Sequence, residues 1–472
     1  MSRASELTKN TLLLGLSKIA TQVVSFSLIP IYTFFLAPND LGLIDLIATY
    51  IALIVPFLTI QLEFATFRFA IEKRNNQEKL SELISTILAI ILPVIIISMV
   101  IFFAISLFIT TPYAPLIVLN IFTSIIASVF LQFSRGIGRT KTFAIANIVA
   151  GITTALLSIA FIAILRWSAS SILLATALSN VIVVIYLFFA MNLRKQIKPK
   201  RINFKIGREL LTYSLPLLPN NISWWVLNIS DRTIISLVIG AAANGIYAIA
   251  SKLAFIPGVI FGIFNMSWTE TASLHIDKPD RDEYFSKICN NAIKIYSCIT
   301  ALFIATLPIL FPYLVGREYL ESYKYIPILA LGSLAQGLVG LYSAIYIAKK
   351  KTKQIANTSL LAAIINIVVN LSLIYFIGVY AAAISTLVAF LALFIYRHFD
   401  VQQYARITYD NNVFIKVVVL LVFTITICYW NNNIANIISL IFVVASTVLL
   451  NRTFIAELFN IIKNKLSNTL RL

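Results

Sequence analysis

The chain alternates long apolar runs with short polar connections. Apolar windows predict helices at 10–35, 41–66, 83–110, 113–134, 143–165, 169–191, 210–238, 245–268, 288–315, 325–348, 354–376, 379–396, 413–430 and 434–450. A helix needs about 20 apolar residues to cross the hydrocarbon core, so each run is long enough for one crossing, or nearly so. Backbone polar groups inside lipid must be satisfied within the spanning element, and the runs are unbroken rather than short and alternating. These features select helices over a barrel. The pattern therefore predicts an all-α polytopic membrane protein of about 14 transmembrane helices. The polar start, Met1 to Asn10, enters the first run without a small-residue cleavage site and reads as part of a retained span rather than a signal peptide.

Composition agrees. The 472 residues are 60% apolar and 12% charged, with a mean hydropathy of +0.91. Soluble proteins are about 45–50% apolar and about 25% charged, so this chain cannot cover a water-facing surface and soluble enzyme folds are excluded. The net charge of +18 would suggest nucleic acid in a soluble protein, but its distribution carries a different message. Numbering the connections alternately puts 29 of the 37 Lys and Arg on one side and only Arg166, Arg317 and Lys324 on the other. By the positive-inside rule both termini are expected in the cytoplasm, and the charge is a topology signal aided by anionic membrane lipids, with no nucleic-acid partner. Arg397 is counted among the cytoplasmic connections, one residue past the twelfth run.

The longest basic connection, Arg194 to Arg201, divides the chain. An N-lobe of six spans (1–192), a basic linker (193–209), a C-lobe of six spans (210–397) and a C-terminal helix pair with tail (398–472) are expected. Two echoes support a repeat. Gly138-Arg139-Thr140-Lys141 precedes the fifth span as Lys350-Lys351-Thr352-Lys353 precedes the eleventh, an offset of 212. Asn39-Asp40-Leu41-Gly42 opens the second span and Ala243-Asn244-Gly245-Ile246-Tyr247 the eighth, an offset of 203. Both halves start inside and hold an even helix number. The repeat is thus parallel, with a pseudo-two-fold axis along the membrane normal.

Charges inside spans are costly, about 2.5–3.5 kcal/mol each at the bilayer centre, and turn toward a bundle interior or an aqueous cavity. Lys18, Arg232, Lys252 and Lys294 are the candidate lining of a cationic central cavity that accepts a phosphate-bearing substrate. Lys416 lies near enough to a span end to snorkel. Asp45, Glu63 and Asp231 are candidates for coupling a proton or sodium ion, or for salt-bridge scaffolding. The run Leu215-Pro216-Leu217-Leu218-Pro219-Asn220-Asn221 is the densest helix break, and the Asn220 and Asn221 amides are candidate sugar contacts, the alternative being a fixed kink. Trp224 and Trp225 suit either stacking on sugar or packing. Cys289, Cys298 and Cys428 have no metal-ligand spacing, and no metal or cofactor site is indicated. No phosphate-binding GxxxxGK[ST] loop occurs, and no connection is long enough for a catalytic outer domain, so a transporter is favoured over an enzyme.

The opening Lys9-Asn10-Thr11-Leu12, the first span ending in Pro30-Ile31-Tyr32, and Asn228-Ile229-Ser230-Asp231-Arg232-Thr233-Ile234-Ile235 continuing to Gly245-Ile246-Tyr247-Ala248-Ile249-Ala250-Ser251-Lys252-Leu253 resemble the polysaccharide flippase family. These Wzx-like proteins are O-antigen and capsule repeat-unit translocases in the superfamily that also holds multidrug exporters and the peptidoglycan lipid flippase. The resemblance implies a two-lobed transporter of twelve or fourteen helices in the bacterial inner membrane. Its implied substrate is an undecaprenyl-pyrophosphate-linked oligosaccharide, moved from the cytoplasmic to the periplasmic leaflet, with a polysaccharide polymerase and a chain-length regulator as partners. Asp231 and Arg232 match family positions, and Lys18 and Lys252 lie where family members place cavity charges. The rival readings are an organic-cation antiporter, which favours an acidic cavity, a polytopic glycan polymerase, which needs a large outer loop, and a non-transporting scaffold.

Overall fold

A computed structural model of the protein describes residues 3–106, 112–430 and 432–452, without the side chains of 3–14, 16, 18, 105, 106, 220 and 228. The described chain is helical throughout, with no strand. In order the helices are α1 (Arg3–Phe35), α2 (Pro38–Thr59), α3 (Leu62–Lys73), α4 (Gln77–Ser106), α5 (Ala114–Gly136), α6 (Thr140–Ser158), α7 (Ser171–Ala190), the short α8 (Leu193–Gln196) and α9 (Phe204–Ser214). They continue as α10 (Leu218–Val238), α11 (Ala241–Ala254), α12 (Ile256–His275), α13 (Arg281–Leu314), α14 (Ile326–Ala348), α15 (Thr352–Ile377), α16 (Tyr380–Val401), α17 (Asn411–Trp430) and α18 (Asn433–Leu450).

Among the described residues each of the fourteen expected runs falls on helix, the end of the run at 83–110 lying outside them, but the count of spans needs adjusting. Among the described residues, eleven helices are long and apolar enough to cross a membrane, and α11 with α12, bent by 45°, makes a twelfth. The two runs that fall short do so for identifiable reasons. The described apolar part of α1 is only Ile19–Phe35, and α10 carries Ser223, Ser230, Asp231 and Arg232 within 21 residues. The run at 210–238 is also divided. Pro216 sits in a single 3-10 turn over Leu215–Leu217 and Pro219 in the first turn of α10, where a missing N–H costs nothing. The proline-rich stretch thus joins α9 to α10 through a single 3-10 turn.

The repeat is visible in the backbone. Helices α5, α6 and α7 pack on one another as α14, α15 and α16 do. The turn before α6 donates from Ile137 N to Phe133 O (3.0 Å), from Gly138 N to Arg135 O (3.1 Å) and from Arg139 N to Ser134 O (3.0 Å). The turn before α15 repeats this at an offset of 212, from Lys349 N to Ile345 O (3.0 Å), Lys350 N to Ile347 O (2.9 Å) and Lys351 N to Tyr346 O (2.8 Å). Gly138 and Lys350 take equivalent left-handed conformations, φ 86° and 57°. Glycine adopts that region without strain, whereas a residue with a Cβ pays about 1–2 kcal/mol.

The chain forms two compact units, residues 1–249 and 250–472. Helices α9 and α10 and the first turns of α11 thus belong to the N-terminal unit, although they follow the basic linker. The linker itself is ordered against α4. Lys198 N donates to Ser85 Oγ (2.8 Å), Asn203 N donates to Thr86 Oγ1 (3.0 Å), and Ser81 Oγ donates to Gln196 O.

In the C-terminal unit α14 is the central helix, packed against α12, α13 and α16. Lipid tails are as apolar as Leu, so helix association rests on close packing and interhelical hydrogen bonds. Trp268 Nε1 donates to Leu341 O (3.0 Å) and Asn265 Nδ2 to Gly337 O (3.0 Å), joining α12 to α14.

Arg397 corrects the topological count. It lies inside α16, fully buried, and not in a connection. Its guanidinium donates to Thr358 Oγ1 (2.8 Å), Ser359 Oγ (3.1 Å), Ser343 Oγ (2.6 Å) and Ile355 O (3.2 Å), binding α14, α15 and α16 together. A hydropathy window assigns an arginine one residue past an apolar run to water, but hydroxyls from two other helices enclose this one.

Candidate functional site

A buried polar assembly of the N-terminal unit lies on α2, α10 and α11. It starts from a close helix crossing. A methyl group added at Gly42 would sit 1.8 Å from the Ala241 carbonyl oxygen, and one at Gly245 would sit 2.0 Å from the Pro38 carbonyl oxygen. The two contacts are related by the repeat offset of 203, so the crossing is locally two-fold symmetric and requires glycine at both centres. Asn244 Nδ2, fully buried, donates to Gly42 O (2.8 Å) beside it.

One turn further along α2, Asp45 meets Arg232 of α10. A single guanidinium nitrogen, Nη1, lies 3.0 Å from Oδ1 and 2.9 Å from Oδ2 of the carboxylate. The side chains are 6% (Asp45) and 19% (Arg232) exposed. Neighbouring Asp231 is buried and accepts from Tyr247 OH of α11 at 2.8 Å. Trp225 Nε1 donates to Thr49 O (3.1 Å), and its ring lies 6.5 Å from that of Tyr50, which fixes this tryptophan as a packing contact between α10 and α2. Asp45, Asp231 and Arg232 are thus brought together on α2 and α10. The charge of Arg232 is directed at Asp45, so the pairing alternative raised from sequence describes its geometry.

Glu63 occupies a separate place. Ile60 and Gln61 both adopt left-handed backbone, φ 51° and 59°, and break α2 from α3. Such conformations cost about 1–3 kcal/mol each for residues other than glycine and cluster at functional positions. Thr59 Oγ1 donates to Glu63 Oε2 (2.8 Å) across this break, and Glu63 is buried. No glycine or proline stands at 60 or 61, so the sequence carried no signal for a break there.

The remaining candidates lie as follows. Asn221 is half-buried near the start of α10. Lys252, in the last turn of α11, and Lys294, within α13, are half-buried in the C-terminal unit. The side chains of Lys18 and Asn220 lie outside the described residues. The structure thus brings together Asp45, Asp231 and Arg232, with Tyr247 and Asn244, which the sequence marked through the repeat and, for Tyr247, the family resemblance, but not as site residues. It leaves Glu63 beside a strained break and separates Lys294 from the cluster along the chain.

Comparison with known proteins gives first the class. The structure resembles that of lipid II flippase MurJ in an inward closed conformation, with TM-score 0.66, 16% identity, and coverage of 96% of this chain and 100% of that one. It also resembles an inward-facing multidrug resistance MATE family transporter of the MOP superfamily, with TM-score 0.66, 14% identity, and coverage of 83% and 98%. An outward-facing MATE family transporter matches with TM-score 0.57, 15% identity and coverage of 84% and 96%. The fold is therefore that of the MurJ and MATE transporters, a multi-pass membrane protein. A search of curated protein sequences finds no match. The sequence profile of the polysaccharide biosynthesis protein family matches residues 7–271, more than half the chain, and the chain belongs to that family.

Proposed function

We propose that this protein is a Wzx-like flippase for a lipid-linked saccharide. The observation that carries the proposal is the family match across residues 7–271, on a fold shared with a lipid II flippase. In this reading the substrate is an undecaprenyl-pyrophosphate-linked repeat unit of O-antigen or a related surface polysaccharide. It moves from the cytoplasmic to the periplasmic leaflet of a bacterial inner membrane, with both termini of the chain in the cytoplasm. The physical task is to carry a hydrophilic headgroup across about 30 Å of hydrocarbon while the polyprenyl tail stays in lipid.

Alternating access between the two repeat halves performs it, with the N-lobe, basic linker, C-lobe and C-terminal pair dividing at 192, 209 and 397. Lys18, Lys252 and Lys294 supply positive charge to the pyrophosphate and Asn220 and Asn221 polar contacts to sugar. The Gly42–Gly245 crossing and the Asp45–Arg232 pair hold α2 against α10 and α11 in one of the two states, and Arg232 turns to the pyrophosphate in the other. Coupling to H+ or Na+ through Asp45, Glu63 or Asp231 supplies the drive, each charge moved through 100 mV contributing about 2.3 kcal/mol. The protein acts by transport and not by bond chemistry, and it hands its cargo to a polymerase and chain-length regulator.

One observation favours a second reading, an organic-cation antiporter. The MATE likeness matches the MurJ likeness in TM-score. Deletion separates the two. A flippase defect leaves lipid-linked repeat units on the inner leaflet and removes surface glycan. An antiporter defect changes only drug resistance, and that result would overturn the proposal.

A further inference from the structure

Two grooves meet at α9, on the basic side of the N-terminal unit. The first, about 780 Å³, lies between the start of α4 and the linker and is lined by Lys79, Lys200, Arg201 and Lys205, with Glu78 and Glu82. The second, about 510 Å³, runs along the other flank of α9 and is lined mainly by Ile60, Ile90, Leu211 and Leu215, with Arg208 on its wall. Phe204 belongs to both and is 88% exposed.

The polar groove is built rather than incidental. Asn203 Oδ1 caps α9 by accepting from Lys205 N (2.9 Å), while its Nδ2 donates to Glu82 Oε1 (2.5 Å). Arg201 Nη2 donates to Glu78 Oε1 at 2.8 Å. These contacts engage both carboxylates and hold the linker in place. Lys79, Lys200 and Lys205 have no carboxylate within ion-pair distance among the described residues, which leaves the groove two charges positive. An anionic head beside an apolar channel is the chemistry of an amphiphile, and the exposed Phe204 and Leu215 stand where acyl chains would continue.

We propose that these joined grooves bind an anionic glycerophospholipid of the adjacent leaflet. The phosphodiester sits among Lys79, Lys200 and Lys205, and an acyl chain lies along Ile90, Leu211 and Leu215. The occupant is a bulk membrane lipid and not the transported carrier, because both grooves open along the face of a single compact unit. Its assignment to the cytoplasmic leaflet rests on the orientation proposed above, but its test does not depend on translocation.

The test uses the full-length protein in nanodiscs of phosphatidylcholine with a minor fraction of phosphatidylglycerol. Lipid that co-purifies on detergent extraction is counted by native mass spectrometry. The wild type is expected to retain phosphatidylglycerol preferentially. A basic residue near an anionic surface contributes about 1 kcal/mol, so Lys200→Gln with Lys205→Gln should weaken retention about thirtyfold, about 2 kcal/mol at about 1.4 kcal/mol per factor of ten. Leu211→Asp, tested separately, should lower retention while leaving the lysines in place, and Lys350→Gln with Lys353→Gln, exposed lysines that line neither groove, should leave it unchanged.

Four results would overturn the proposal. The first is equal retention of the two lipids. The second is a loss below threefold in the double lysine variant with its melting curve unchanged. The third is displacement of bound lipid by glycerol phosphate alone, which would make this a free-phosphate site. The fourth is displacement by undecaprenyl diphosphate that phosphatidylglycerol cannot reverse, which would assign the site to the carrier.

Discussion

The Asp45–Arg232 pair allows a prediction that separates scaffold from substrate contact. Arg232→Met removes the guanidinium that lies 2.9 Å from the Asp45 carboxylate, which is 6% exposed. Breaking a buried pair from one side costs about 3–5 kcal/mol, because the remaining charge is desolvated without compensation. Asp45→Leu leaves the guanidinium, which is 19% exposed and retains some access to water, so its cost should fall toward or below the lower end of that range. Replacing both by apolar groups of similar size removes both desolvation penalties and is expected near neutrality, as such exchanges often are.

The double variant should therefore be more stable than either single variant, with a coupling of about 2 kcal/mol or more. Unfolding of the purified protein in mixed micelles measures the four corners of the cycle. Costs that simply add would refute the reasoning, since the pair would then not be an energetic unit. Surface glycan in the deletion strain gives the second readout. If Arg232 also engages the anionic headgroup, the stable double variant remains inactive. Recovery of glycan in that variant would confine Arg232 to a scaffold role.

Further outcomes follow from single contacts. Ile60→Gly should raise stability by about 1 kcal/mol or more by relieving the left-handed strain at φ 51°, read in the same unfolding assay. Gly42→Val should cost about 1–3 kcal/mol or more, because its Cβ falls 1.8 Å from the Ala241 carbonyl oxygen, and should abolish surface glycan while leaving membrane insertion intact. Arg397→Ala orphans a set of buried hydroxyls and should lower stability by about 3 kcal/mol, whereas Arg397→Lys, which keeps charge but not the fork, should recover only part.

The hydrogen bond from Lys349 Nζ holds the exposed Asp277 carboxyl below the usual range. A carboxyl depressed in the folded state contributes stability that is present above its unfolded pKa and lost as pH falls through the folded value. Lys349→Gln should therefore move the Asp277 titration upward in an NMR titration and remove that acid-side dependence.

The fold was largely legible because its signals are local. Hydropathy marks the long helices, and the turns before α6 and α15 and the openings of α2 and α11 preserve short motifs at offsets of 212 and 203, which the backbone hydrogen bonds and the glycine crossing reproduce. What was not legible depends on distance or on backbone strain. Asp45 and Arg232 are 187 residues apart, and nothing in either motif names the other as partner. The break at Ile60–Gln61 uses residues that ordinarily avoid left-handed backbone, so no turn chemistry announces it. Arg397 looked like a topology charge because its enclosing hydroxyls come from α14 and α15, 38 to 54 residues earlier. The linker was legible as a basic stretch between two halves, but not the binding of its backbone to Ser85 and Thr86.

The central claim is that this chain moves a lipid-linked saccharide across a bilayer. The most direct measurement uses proteoliposomes holding the purified protein and an undecaprenyl-pyrophosphate-linked oligosaccharide with a fluorescent sugar, quenched from outside by a membrane-impermeant reductant. The account predicts that the wild type exposes the internal pool to the quencher and that Gly42→Val protein, inserted equally well, does not. An internal pool that stays protected with wild-type protein, across several repeat-unit saccharides and with either a proton or a sodium gradient imposed, would contradict it.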